Sequence, residues 1–311
     1  MQARNALDEA RQVVGPGAEP WVLEPSPPAV TEGPWFADDP VAAGDVNWRE
    51  WVVRHPEVAE WASDRWLAAY RRLGPVPATY ADTRLALHRL TAYVISPARQ
   101  RANGKMALRW TLDGIGTPFF GDDEQIRIEG TDIVRQRGQK AAARPITSLV
   151  QAAAFVLDGP PDGTWTEGFD VPAMGSTDET LPVDADTARF LADWYGFAFS
   201  ALEELRADAA SVDPCRVQLW PEHFDAAVDC LPQDRRATFG ASSGDRADSE
   251  PYLYVTSAAA DTARSPLWNA TSFAGAILPF TDLLAADDPR AAALEFWRSR
   301  RALVGLETNG S

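Results

Sequence analysis

Apolar side chains recur every three or four positions between residues 184 and 209: Phe190, Leu191, Trp194, Phe197, Ala198, Ala201, Leu202 and Leu205. That spacing is the single apolar stripe of an amphipathic helix, with Asp184 or Asp186 as its N-cap. The same period predicts a helix over 47–73, restarting near Pro56 and carried by Val58, Ala62, Trp66, Ala69 and Leu73; Gly74-Pro75 stops it. Between these helices the pattern changes. Apolar and β-branched residues over 85–95, alternating Met106, Leu108 and Trp110 over 105–112, and Ile126, Ile128, Ile133 and Val134 over 125–134 predict strands. Gly and Asp punctuate them at Asn103-Gly104, Asp113-Gly114 and Glu129-Gly130, which favours antiparallel neighbours. A short apolar helix over 147–157, capped by Thr147 or Ser148, closes this set.

The second half repeats the order. Strands are predicted at the start of 216–231, at 236–239 and at 251–257, then helices over 269–286 and 288–305. The pattern predicts an α+β fold of antiparallel, β-rich lobes flanked by helices. It admits a duplicated βββα unit, with lobes at 80–157 and 214–286 joined by the helix at 184–209, within one globular domain spanning 47–305. Residues 1–46, rich in Pro, Gly and acids but carrying Trp21 and Trp35, read as an irregular strap, and 306–311 as a tail. The Pro- and Gly-rich stretch 158–182 is long for a compact domain, a length usual for functional covers or connectors.

Composition narrows the partners. A net charge of −16 repels phosphate backbones and anionic lipid, so neither nucleic acid nor a membrane surface is expected as a partner. No apolar run approaches the roughly 18 residues a spanning helix needs, the N-terminus lacks the apolar core of a secretory signal, and a cytoplasmic location is expected. Two cysteines, Cys215 and Cys230, make no disulfide framework and read as small buried residues. Arginine far outnumbers lysine, a bias of high-GC bacterial genomes.

Three segments could carry chemistry. Trp220 to Asp225 (WPEHFD) sets Glu222, His223 and Asp225 within six residues. In a strand His223 and Asp225 would share a face, as a metal pair or as an imidazole oriented by a carboxylate, with Glu222 beside them. No established metal spacing is present, and a hydrogen-bonded histidine among solvated acids fits equally. The glycine–acid loop ending in Asp245 leads into a strand where Tyr252 and Tyr254 share a face and could line a ligand, with Trp220 of the first segment a further candidate contact; an ordinary half-buried strand fits too. Phe119 and Phe120, between glycines, are either an aromatic lid or a packed turn. His55 and His88 have no carboxylate or cysteine close in sequence and read as structural. No G-x-S-x-G, dinucleotide fingerprint or phosphate loop occurs, and no cofactor is readable.

The stretches VQLWPEHFDAAV (217–228), GASSGD (240–245), EPYLYV (250–255) and LPFTDLLAADDP (278–289), with ALEFW after them, together with LHRLTAYV (87–94) and ITSLVQAAAFV (146–156), resemble an uncharacterised bacterial family, a domain of unknown function. The resemblance spans about residues 48–303. It implies no activity. That family varies at the positions of Pro221, Glu222 and His223, which leaves Asp225 the better shared candidate. Three readings stand: a protein holding a small apolar or aromatic molecule between two β-rich lobes, supported by twelve tryptophans; a metal-assisted hydrolase or oxidoreductase using Glu222, His223 and Asp225; and an interaction module without a small ligand.

Overall fold

The computed structural model describes residues 73–111, 114–118, 120, 124–137, 140–212, 214–231, 235–257 and 265–306. The strap at 1–46, nearly all of the helix at 47–73, Phe119 and residues 307–311 of the tail lie outside the described residues. The fold is α+β, with helices and two antiparallel five-stranded sheets. The chain divides into two compact units: one runs to Asp193 and takes in Leu219–His223, and the other holds Trp194–Gln218 and the chain from Phe224 onward.

In the first unit, α1 (Tyr80–Leu90) runs into a π-helical turn (Thr91–Ile95) and α2 (Ser96–Asn103). The strand expected at 85–95 is therefore helix. Its residues Ala86, Leu87, Leu90, Ala92, Tyr93, Val94 and Ile95 are buried, but so are polar His88 and Thr91, while apolar Leu85 is exposed, so the apolar–polar pattern does not trace the buried face. The sheet follows as β1 (Arg109–Thr111), β2 (Gly114–Gly116), β3 (Glu124–Glu129), β4 (Asp132–Arg137) and β5 (Lys140–Pro145), neighbours in chain order. The stretch 125–134 is the meeting of two antiparallel strands, turned at Gly130 with φ 57°, where Glu129-Gly130 reads as a turn. β5 escapes the sequence pattern because KAAARP has no apolar alternation. Helix α3 (Leu149–Val156) starts where expected, with Ser148 Oγ accepting from Gln151 N at 3.3 Å.

This sheet buries polar side chains on one face. Gln125, Arg127 and Glu129 alternate along β3, and Gln136 lies opposite Gln125. Fully buried Arg127 donates to Glu129 at 2.8 Å, Gln136 at 2.9 Å and Gln125 at 3.2 Å. Its charge is neutralised and its fork satisfied inside the sheet, as burial of a guanidinium requires. Ile126, Ile128 and Ile133 face the opposite way.

The stretch 158–182 forms no helix or strand. It is tied to the α1–π-helical segment: Trp165 Nε1 donates to the Ala92 carbonyl at 2.8 Å, Tyr93 Oη to Pro172 at 2.7 Å, and Arg89 Nε to Met174 at 3.0 Å. Helix α4 (Ala185–Arg206) begins in the first unit and ends in the second. Asp184 caps it, accepting from Thr187 N at 3.0 Å.

The second sheet comprises β6 (Gln218–Trp220), β7 (Asp225–Asp229), β8 (Ala237–Ser242), β9 (Tyr252–Ser257) and β10 (Gly275–Pro279), again in chain order. Helices α5 (Phe280–Ala285) and α6 (Pro289–Leu306) follow. The helix expected over 269–286 is thus a strand and a short helix. Residues 275–279 pair with β9, and Pro279, in extended backbone, sets the start of α5. Asp288 caps α6 by accepting from Arg290 N at 3.0 Å and Ala291 N at 3.1 Å. The proposed βββα correspondence fails at its first element, helix α1 in the first unit against strands in the second.

Candidate functional site

The candidate site lies on one face of the second unit's sheet and is set by strand register. Asp225 of β7 lies opposite Ser242 of β8, and Ser242 opposite Tyr252 of β9. Two residues along, Ala227, Gly240, Tyr254 and Ile277 line up in the same way. Directly opposed residues share a face, so Asp225, Ser242, Tyr252 and Tyr254 converge there.

Gly240 explains how a tyrosine on β9 reaches a carboxylate on β7. The Tyr254 ring crosses β8 where Gly240 has no side chain, and a Cβ at that position would overlap the ring. The Tyr254 hydroxyl donates to Asp225 Oδ2, and the Tyr252 hydroxyl donates to Asp245 Oδ2 at 2.7 Å. Asp245 also orders its own loop, accepting from Ala247 N at 2.7 Å and Asp248 N at 2.9 Å. Gly244, at φ 95°, makes that turn, because a side chain would strike the carbonyls of residues 248–250.

Asp225 is placed by strained backbone. Phe224 has φ 54°, a left-handed conformation rare for an aromatic residue. Its ring is fully buried against Tyr195, with centroids 5.5 Å apart, and its carbonyl accepts from Tyr195 Oη at 2.6 Å and Ser243 Oγ at 3.1 Å. Packing and two hydrogen bonds hold the turn that delivers Asp225 into β7.

Electrostatics fix the protonation of the tyrosines. Burial, then the charge of Asp225, pushes the Tyr254 phenol well above its ordinary range. Burial, followed by its bond to Asp245, raises Tyr252 as well. Both hydroxyls are neutral donors at physiological pH and neither serves as a base. Asp225 and Tyr254 are buried, whereas Asp245 is exposed and opens the face to solvent.

On its far side Tyr254 meets Phe273 edge-on, with centroids 6.4 Å apart. Phe273 in turn lines an open depression of about 400 Å³ with Trp268, Thr271, Ser272 and Gly275. The depression is shaped by a loop folded back on β10. Asn269 Nδ2 donates to the Ile277 carbonyl at 3.1 Å while Asn269 Oδ1 accepts from Ile277 N at 2.9 Å, so one side chain imitates a neighbouring strand.

The other sequence candidates fall elsewhere. Residues 221–224 form a turn, so His223 and Asp225 do not alternate along one strand. His223 is exposed, Glu222 is half-buried, and both belong to the first unit with half-buried Trp220 at the end of β6. In that unit His88 Nε2 donates to the Pro221 carbonyl at 2.9 Å, and burial, the largest effect, lowers the imidazole pKa to about 4. Phe120 is buried and forms an isolated antiparallel bridge with Glu124, exchanging backbone hydrogen bonds of 2.9 Å. Among the described residues no three His, Cys, Asp or Glu side chains are grouped to hold a metal ion, and no helix is long and apolar enough to cross a membrane. Gly240, Ser242, Phe273 and Phe224 were not legible as site residues. The one available signal was the glycine in GASSGD two residues before Ser242, whose meaning depends on which strand lies beside it.

No family model, no curated protein and no solved structure matches the chain.

Proposed function

We propose that the protein binds a small molecule in the second unit, at the depression bounded by Trp268 and Phe273 and backed by the Tyr254–Asp225 pair. The observation that carries this reading is the continuity of the two features. A hollow of about 400 Å³, its wall mostly polar and Trp268 and Phe273 among its lining residues, adjoins, through Phe273, a tyrosine whose hydroxyl is committed to a buried carboxylate. The ligand class is a small planar molecule bearing polar groups, which meets the hydroxyls of Thr271 and Ser272 and packs its flat part on Trp268 and Phe273. Neutral phenols and a committed carboxylate support holding a ligand over transforming one.

The test is native mass spectrometry of the purified protein with elemental analysis, followed by thermal-shift screening with small aromatic acids and amines. A retained organic molecule, or a stabilising aromatic probe whose effect disappears in Phe273→Ala, is expected. A probe that stabilises Phe273→Ala as well as the parent would overturn the site. A stoichiometric metal lost in His223→Ala would instead favour the metal-assisted reading at Glu222, His223 and Asp225.

A further inference from the structure

Among the described residues, the first unit's sheet ends in an edge strand whose charge is opposite to that of the chain. β5 pairs with β4 along all six of its positions, Lys140 to Pro145, and is the last strand of its sheet. Its residues alternate between exposed and half-buried, with Lys140, Ala142, Arg144 and Pro145 exposed. An edge strand turns half of its backbone N–H and C=O groups outward, a template for another extended chain.

Lys140, Ala142 and Arg144 lie opposite Arg137, Arg135 and Ile133, so both β5 cations stand on one side of the sheet, four residues apart. Among the described residues neither pairs with a carboxylate. The Arg144 guanidinium instead lies 5.4 Å from the centre of the Phe155 ring and donates to the Ala143 carbonyl at 3.0 Å. In contrast, Arg135 and Arg137 beside them share Glu124 at 2.9 and 3.1 Å. In a chain of net charge −16 with only two lysines, two uncompensated cations on a regular exposed edge stand out.

We infer that β5 is a docking edge for an extended acidic peptide, which adds to the sheet as a further strand and sets two carboxylates, four residues apart, opposite Lys140 and Arg144. Main-chain hydrogen bonds supply affinity and the two cross-strand pairs supply selection. Ala141, Ala142 and Ala143 place no bulk in the way of the incoming strand. A second copy of the chain is a poor occupant, because antiparallel self-pairing sets cation near cation and like charges directly opposed destabilise a sheet. Lys and Pro also serve to guard edges, but here they stand at the two ends and leave the ladder between them unbulged.

The experiment uses the full chain and two fluorescein-labelled probes of alternating valine and threonine. One carries glutamates four positions apart, and the other carries lysines in their place. Anisotropy should show the glutamate probe binding at least about tenfold more tightly, with an advantage that shrinks as salt is raised. The double variant Lys140→Glu with Arg144→Glu, both at exposed positions, should reverse the preference, and amide exchange should slow within 140–145 when the glutamate probe is bound. Equal binding of both probes, a preference unchanged by charge reversal, no binding at millimolar probe, or protection of 140–145 by self-association alone would each overturn the proposal.

Discussion

The two sheets have the same strand count and the same order of strands, yet they bury polarity in different ways. In the first, Arg127 sits among acceptors from its own and the adjacent strand, and each arm of its fork has a partner. In the second, Tyr254 must cross a whole strand to reach Asp225, and the approach depends on a missing side chain at Gly240. The first arrangement is closed and serves the fold. The second holds neutral donors against carboxylates, opens at Asp245 and adjoins a hollow, the features on which the proposed binding reading rests.

The largest effect that should separate the two comes from Arg127→Ala. It strands Glu129, which is 5% exposed, without its cation, and is expected to cost about 3–5 kcal/mol in chemical denaturation. A loss under about 1 kcal/mol would show that the first network is not closed.

Acid should next destabilise the first unit through His88. Its pKa is about 4 in the folded protein against 6.5 for the free side chain, so the unfolded chain takes up the proton first. The neutral imidazole costs nothing above pH 6.5; stability then declines as pH falls from 6.5 to about 4, by roughly 3 kcal/mol over the window. Melting temperature against pH should be flatter over that window in His88→Gln. Parallel slopes for variant and parent would assign the acid sensitivity to other groups.

Gly240→Ala should displace the Tyr254 ring and cost about 1–3 kcal/mol, with most of the loss absent when Tyr254 is already leucine. Additive losses in the double variant would break the link between glycine and ring. The smallest effect belongs to Tyr252→Phe. Its partner Asp245 is exposed and has other donors, so about 0.5–1 kcal/mol is expected in the same unfolding assay. A loss as large as that of Gly240→Ala would place the Tyr252–Asp245 pair inside the core of the unit.

The sequence was most legible where structure depends on neighbours in the chain. Asp184 and Ser148 cap the helices they were expected to cap, and the apolar stripe from Phe190 to Leu205 is α4. Tyr252 and Tyr254 share a face because alternation in a strand is a local property, and their rings stand 6.3 Å apart. The helix at 80–95 was hidden because polarity does not follow burial there: His88 and Thr91 are buried while Leu85 is exposed. The alanine-rich β5 carried no signal, because its strand character comes from pairing with β4.

The candidate site divides along the same line. From sequence alone, Asp225, Asp245, Tyr252 and Tyr254 were available as separate fragments on two motifs, together with an acidic charge that disfavours phosphate partners. Tertiary structure joined the fragments. The turn at Phe224 took His223 out of the strand and set Asp225 into it, and the β7–β8–β9 register aligned Asp225 with Ser242 and Tyr252. The empty position at Gly240 let Tyr254 close the gap. The physical reason is that alternation and capping are decided within a few residues, whereas register is decided by strands tens of residues apart choosing which side chains to face.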